Sequence, residues 1–200
     1  LSGIVAGVGL AMAGCVLHGT LGNPLENPYT LCIAHGDGYG AAIAILYTVG
    51  FVGGRDMIIG NVFSFTLIPT FFIFGIARYK KATPETMILA GIAMMILFSA
   101  AITLVQYFAE AEAVKAVVFW MVGDLGRAAW SKLLPMSIVL ACGIPLVMLK
   151  AWDLNVMSAG DESAKSLGVN VERIRIFVLI LASLLISAIV CFTGAIGFIG

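Results

Sequence analysis

The 200-residue sequence is 61% hydrophobic and 11% charged, its eleven basic residues balance its eleven acidic ones, and its mean hydropathy is +1.08. Soluble domains carry about 25% charged and 45–50% apolar residues, so this composition excludes a soluble globular protein and describes a membrane-embedded one. Zero formal charge offers nothing to a nucleic acid, and Cys15, Cys32, Cys142 and Cys191 show no paired spacing for a disulfide framework or a zinc site.

The cysteines are expected as small buried residues. The chain opens on Leu1 and stops at Gly200 inside an apolar stretch, the expectation for a piece of a longer polypeptide. The first apolar run lacks the basic n-region and cleavage site of a signal peptide.

Six runs approach the roughly 20 apolar residues that cross a bilayer core: 4–21, 31–51, 57–77, 87–108, 133–149 and 174–198. The expected fold class is therefore all-α, a polytopic membrane helical bundle forming one transmembrane domain over 1–200. In the first run Gly3, Gly7, Ala11, Gly14 and His18 recur at steps of three and four. Such a row of small residues lets helices approach closely and would turn His18 into the bundle. Gly22-Asn23-Pro24-Leu25-Glu26-Asn27-Pro28 follows. Two prolines four apart cannot continue a helix, and the residues before them prefer extended geometry. This is a turn; if it dips to membrane depth it must line a cavity or be buried in protein, which makes it a candidate pathway element.

The second run is interrupted near its start by His35 and Asp37, among Gly36, Gly38 and Gly40. Alternating glycines suggest irregular backbone in a polar environment, and an ionised Asp in a membrane is costly unless paired or wet. Two readings stay open. Either the pair lies in interfacial water at the cytoplasmic end, or His35 and Asp37 line an inner gate and hold it shut by charge-assisted hydrogen bonding. The third and fourth runs are uncharged. Residues 110–132 then form the longest external segment, with Tyr107, Trp120 and Trp130 suited to an interfacial belt. Glu110, Glu112, Lys115, Asp124 and Arg127 offer charges there, either to an outside partner or as a solvated rim. Pro135 and Pro145 predict kinks in the fifth run.

Residues 155–171 are a polar island between the last two runs. Ser158 followed by Asp161 is a capping-box pattern, and Gly168 suits a helix C′ position. Asp161 and Lys165 are spaced i,i+4, and Glu162 and Lys165 i,i+3, while Ala164, Leu167 and Val171 share the other side. The pattern predicts a capped helix of roughly 15 Å with a small apolar docking face. Counting Lys and Arg in alternate loops puts Arg78, Lys80, Lys81, Lys150, Lys165, Arg173 and Arg175 on one side and Arg55, Lys115, Arg127 and Lys132 on the other. The richer side is expected to be cytoplasmic, and the polar island lies on it.

The run Gly160-Asp161-Glu162-Ser163-Ala164-Lys165-Ser166-Leu167-Gly168-Val169 resembles the cytoplasmic loop of the FecCD-type permeases. These are the membrane subunits of ABC importers for iron-siderophores, haem and cobalamin, and there the pattern is close to Gly-Glu-Glu-x-Ala-x-x-Leu-Gly-Val. Gly14 to Pro28 is similar to that family's Gly-x-x-x-Gln-x-x-x-x-Asn-Pro-Leu-Ala-x-Pro. Asn23, Pro24, Leu25 and Pro28 match, whereas His18 replaces Gln and Glu26 replaces Ala. Trp120 and Gly123 resemble its Trp-x-x-Gly, and residues 194–200 its Gly-Pro-Ile-Gly-Phe-Val-Gly with Ala195 in place of proline.

This resemblance implies a coupling helix at about 157–169, with Gly160, Asp161, Glu162, Ala164, Leu167 and Gly168 meeting a cleft on an ABC ATPase subunit. It implies that Asn23, Pro24 and Leu25, followed by His35 and Asp37, lie by the cytoplasmic gate of the pathway. It further implies a second permease copy, a substrate-binding protein on the external face, and a place in the cytoplasmic membrane of a prokaryote. The six runs would be the second to seventh of roughly ten spans, and an iron-siderophore is the default cargo, with cobalamin and haem open. No nucleophile–base pair, metal-ligand cluster or Walker A pattern is visible, so no catalytic residue, metal or cofactor is expected and ATP chemistry would belong to another chain. The rival is a proton-coupled secondary transporter using His35 and Asp37.

Overall fold

The computed structural model describes residues 1–22, 33–47, 57–80, 83–124, 126 and 130–195, and every regular element among them is helical. In chain order these are α1 (Ser2–Leu21), α2 (Ile33–Tyr47), α3 (Met57–Lys80), α4 (Pro84–Tyr107), α5 (Ala111–Val122), α6 (Trp130–Met148), α7 (Ala151–Ser158), α8 (Asp161–Ser166) and α9 (Val171–Thr193). Four are long and apolar enough to cross a membrane: Ser2–Leu21, Met57–Ile76, Pro84–Tyr107 and Val171–Thr193. A fifth is reached if Lys132–Met148 and Ala151–Ser158, bent by 59°, count as one broken span. These correspond to the first, third, fourth, sixth and fifth expected runs. α6 carries Pro135 and Pro145 inside its length, and the bend falls just beyond Pro145.

The second run contains α2, a regular helix over the 15 residues described there, about 22 Å at 1.5 Å per residue; residues 31–32 and 48–56 on either side lie outside the described residues. Its glycines are not signs of irregular backbone. A methyl group on Gly36 would lie 2.6 Å from the Phe65 carbonyl oxygen, and one on Gly40 2.7 Å from that of Asn61. The two glycines, one helical turn apart, let the backbone of α2 press against that of α3. The pairing of 36 with 65 and 40 with 61 also sets α2 antiparallel to α3 and starts it near the midpoint of that 24-residue helix.

α9 is the hub. Beyond the charged residues of its first turns it is almost wholly apolar, and it is buried along most of its length, as a helix surrounded by others must be. α1, α3 and α6 pack around it. Gly9 of α1 closes against Ile189 and Leu140, and Gly143 of α6 against Leu185. The small-residue face expected on α1 is not its packing face: Gly3 and Ala11 are exposed, nothing lies near a methyl group on Gly7, and His18 is only half-buried. The buried side runs instead through Ala6, Gly9, Leu10, Ala13, Val16 and Leu17, and of the expected row only Gly14 is buried with it; this side meets the bulky side chains of α9.

Residues 110–132, expected on the external side, contain a helix, α5. Trp120 does not belong to an interfacial belt; it is 3% exposed, whereas Tyr107 and Trp130 are open. The cause is a close approach at the end of α9. Asp124 donates its backbone N–H to the Thr193 carbonyl at 2.8 Å, and a side chain on Gly194 would collide with the Trp120 carbonyl oxygen at 2.6 Å. Cys15 and Cys142 are exposed and only Cys191 is buried, while Cys32 lies outside the described residues.

Candidate coupling and translocation site

The polar island folds as two short helices, not one. Gly160, at φ +109°, takes a conformation unfavourable to residues with a β-carbon and separates α7 from α8. The expected capping box is absent: the Ser158 hydroxyl turns back to the Asn155 carbonyl at 2.7 Å, and the N-cap of α8 is Gly160. α8 is consequently six residues, about 9 Å, shorter than the helix expected over 157–169. Its C-terminus does follow the sequence. Gly168 at φ +83° donates to the Lys165 carbonyl, and the Val169 N–H to that of Ala164, each at 3.0 Å. This is a Schellman closure that satisfies carbonyls the helix end leaves free.

Ala164 is fully buried, whereas Leu167 stands 69% exposed at the end of the same helix. Leu167 lines an open groove of about 480 Å³ together with Lys150, Trp152, Arg173 and Phe177. Glu162 and Lys165 are exposed, and Asp161 does not pair with Lys165 as its spacing suggested. Its Oδ1 instead accepts from Nη2 of Arg175, in the second turn of α9, at 2.8 Å. The Arg175 side chain is 2% exposed, and its Nε donates to the carbonyl of Thr20 in α1 at 3.3 Å. Arg175 is therefore a buried helix residue and not a loop charge.

A second polar group runs through the bundle interior. Asp37 of α2 is 0% exposed, which removes the reading that places it in interfacial water. Its Oδ1 is joined to the Thr66 hydroxyl of α3. One turn on, Thr70 donates to Ser183 of α9 at 2.9 Å, and Ser183 to the Leu179 carbonyl at 2.7 Å. The pairs Asp37–Thr66 and Thr70–Ser183, one turn apart on α3, thus join α2 and α9 to α3. Asp37 Oδ2 and His35 Nδ1 are buried atoms without a hydrogen-bond partner among the described residues. Asp37 and His35, two residues apart on a helix, face different directions and do not bond each other.

Asn23, Pro24 and Leu25 lie outside the described residues. Among the other expected site residues, Asp161, Ala164, Leu167 and Gly168 gather on α8 and its cap, with Gly160 and Glu162 at its start. His35 and Asp37 form a separate location in α2. Thr66, Thr70, Ser183 and Arg175 were not singled out from the sequence. A readable signal existed for the first two, hydroxyl residues one turn apart in an apolar span. Among the described residues no three His, Cys, Asp or Glu side chains are grouped to hold a metal ion.

The sequence matches the model of the FecCD transport family over residues 1–200. It is 44% identical to a candidate ABC transporter permease of Methanocaldococcus jannaschii, over 98% of this chain and 59% of that protein. It is 33% identical to the hemin transport system permease of Yersinia pestis, over 100% of this chain and 60% of the relative. With the molybdate import system permease of Haemophilus influenzae it shares 30% identity, over 100% and 59%. The chain therefore spans about three fifths of the length of these curated relatives. Its fold resembles a solved inward-facing conformation of a candidate metal-chelate-type ABC transporter, with a TM-score of 0.88 and 27% identity over 96% of this chain and 61% of that one.

Proposed function

The chain belongs to the FecCD transport family, and from that premise we propose that it forms part of the permease subunit of an ATP-binding-cassette importer in a prokaryotic cytoplasmic membrane. The observation that carries the reading is α8. A short helix held at one end by buried Ala164 and closed at Gly168 presents an exposed Leu167 beside an open groove. An exposed leucine on a rigid, capped helix is a docking element for a partner's apolar cleft. The partner is an ABC ATPase subunit, which binds and hydrolyses ATP, and Gly160, Asp161, Glu162, Ala164, Leu167 and Gly168 are the coupling residues. Only three residues separate Leu167 from α9, whose first turn Asn170 caps by accepting from the Arg173 N–H at 3.1 Å, so displacement of α8 reaches the bundle's hub directly.

The pathway is assigned to the Asn23-Pro24-Leu25 turn and to His35 and Asp37, with Thr66 holding Asp37 in place. A second permease copy completes the path, and a substrate-binding protein meets the opposite face, where Glu110, Glu112 and Lys115 of α5 are exposed. The cargo is an iron-siderophore or a related chelate such as cobalamin or haem. Relatives named for hemin and for molybdate define the panel for the test. The full-length permease, reconstituted with its ATPase and binding protein, is supplied with a ferric siderophore, haem, cobalamin and molybdate in turn. ATP-dependent accumulation of one of them is expected. The buried, half-partnered Asp37 favours one other reading, a proton-coupled carrier, and accumulation driven by a pH gradient without ATP would establish it instead.

A further inference from the structure

We propose that Arg175 is a positioning residue that ties α8 to the end of α1, so that movement imposed on the coupling helix is delivered to the last turn of α1. The proposal rests on the ABC reading and adds a route by which α8 reaches α1.

The geometry is a clasp between three elements. Arg175 belongs to α9, its Nη2 holds Asp161 Oδ1 in the first turn of α8 at 2.8 Å, and its Nε holds the Thr20 carbonyl in the last turn of α1 at 3.3 Å. A guanidinium 2% exposed in its side chain is costly to bury unless its hydrogen bonds are met. Each contact also meets a need of its partner. The Thr20 carbonyl belongs to the last turn of α1, where carbonyls lack intrahelical donors and a cation is favoured by the helix dipole. Gly22, at φ +64°, ends that helix by donating to the His18 carbonyl at 3.0 Å. Beyond Gly22 the next residues are Asn23, Pro24 and Leu25.

The rigidity of the link follows from the side chain. Nε and Nη2 sit on one planar, delocalised group, so Asp161 and Thr20 cannot separate without breaking a bond to buried charge. A lysine ammonium is a point charge on a flexible stem and would hold one partner at a time. α9 supplies the pivot, since it is buried along most of its length.

The test uses the full-length permease with its ATPase in nanodiscs, in an otherwise cysteine-free background carrying Gly19→Cys, at a half-buried position beside Thr20 with room for a side chain. Maleimide modification of that cysteine is timed without nucleotide and with a non-hydrolysable ATP analogue, at ATPase concentrations that saturate each variant. The intact clasp should give a nucleotide-dependent change of about tenfold, within the range usual for coupled sites. Arg175→Gln and Asp161→Asn should reduce it below about twofold, and Arg175→Lys should fall between. Should Arg175→Gln fail to assemble, Asp161→Asn, at a half-exposed partner, decides the matter. A purely structural arginine would lower the melting temperature and leave the nucleotide response intact, and that result overturns the proposal. A wild type with no nucleotide response overturns the ABC reading and this inference together, so the two failures are told apart.

Discussion

Replacing Leu167 by aspartate removes the apolar tip of α8 while sparing what holds the helix in place. Ala164 and the Gly168 closure carry the local fold, and Leu167, 69% exposed, has little to lose within its own chain. Burying a leucine side chain fully is worth about 1.5–3 kcal/mol. Two thirds of that remains to be gained on docking, or about 1–2 kcal/mol, which corresponds to roughly 5- to 30-fold in affinity. Leu167→Ala should cost about that much. Leu167→Asp adds an unpaired carboxylate to a closing contact, so its loss should exceed the upper end. The assay is a titration of labelled ATPase against full-length permease in nanodiscs, with melting temperature measured alongside. Affinities of both variants within about twofold of wild type would mean that α8 does not dock through Leu167, and the coupling assignment would fall.

Other consequences are equally accessible. Gly40→Ala places a methyl 2.7 Å from the Asn61 carbonyl oxygen and 3.0 Å from the Val62 Cα, so α2 must move off α3 at a cost of about 1–3 kcal/mol, read as a fall in melting temperature; an unchanged melt would contradict the close packing. Asp37→Asn keeps an oxygen for the Thr66 hydroxyl and should retain ATP-driven uptake within about threefold, whereas loss of uptake would make the carboxylate part of the transport step. Single cysteines at exposed Ala116 and Ser166 should react from opposite sides of intact cells, and reaction from the same side would overturn the orientation taken from the positive-inside bias.

The spans that sequence identifies best are those whose signal is local. α3, α4 and α9 are continuous apolar runs, and hydropathy alone bounds them to within a few residues. α2 shows where that signal stops: a hydropathy window weighs apolar residues without knowing what they pack against, and the close approach of α2 to the backbone of α3 at Gly36 and Gly40 leaves no mark on it. The Gly36–Gly40 spacing was present to be read, but the alternation with Gly38 suggested a different backbone. At the polar island Gly168 was legible because a helix end needs a residue tolerant of positive φ, and Gly160 serves the same purpose between α7 and α8, unnoticed while Ser158 offered a rival cap. Arg175 could not be placed from sequence, since its Thr20 partner lies 155 residues away and only the packing of α1 on α9 brings them together. Trp120 misled for a related reason, because an amphipathic ring suits a membrane interface as well as a buried site, and contact with Gly194 decided between them.

The central claim is that the chain is the moving membrane part of a machine driven by ATP hydrolysed elsewhere. The most direct measurement is uptake into proteoliposomes containing the full-length permease, its binding protein and an ATPase, with and without replacement of the ATPase's Walker A lysine. The account predicts cargo accumulation with the intact ATPase and none with the lysine variant, whether or not a pH gradient is imposed. Accumulation that persists with the disabled ATPase would contradict it.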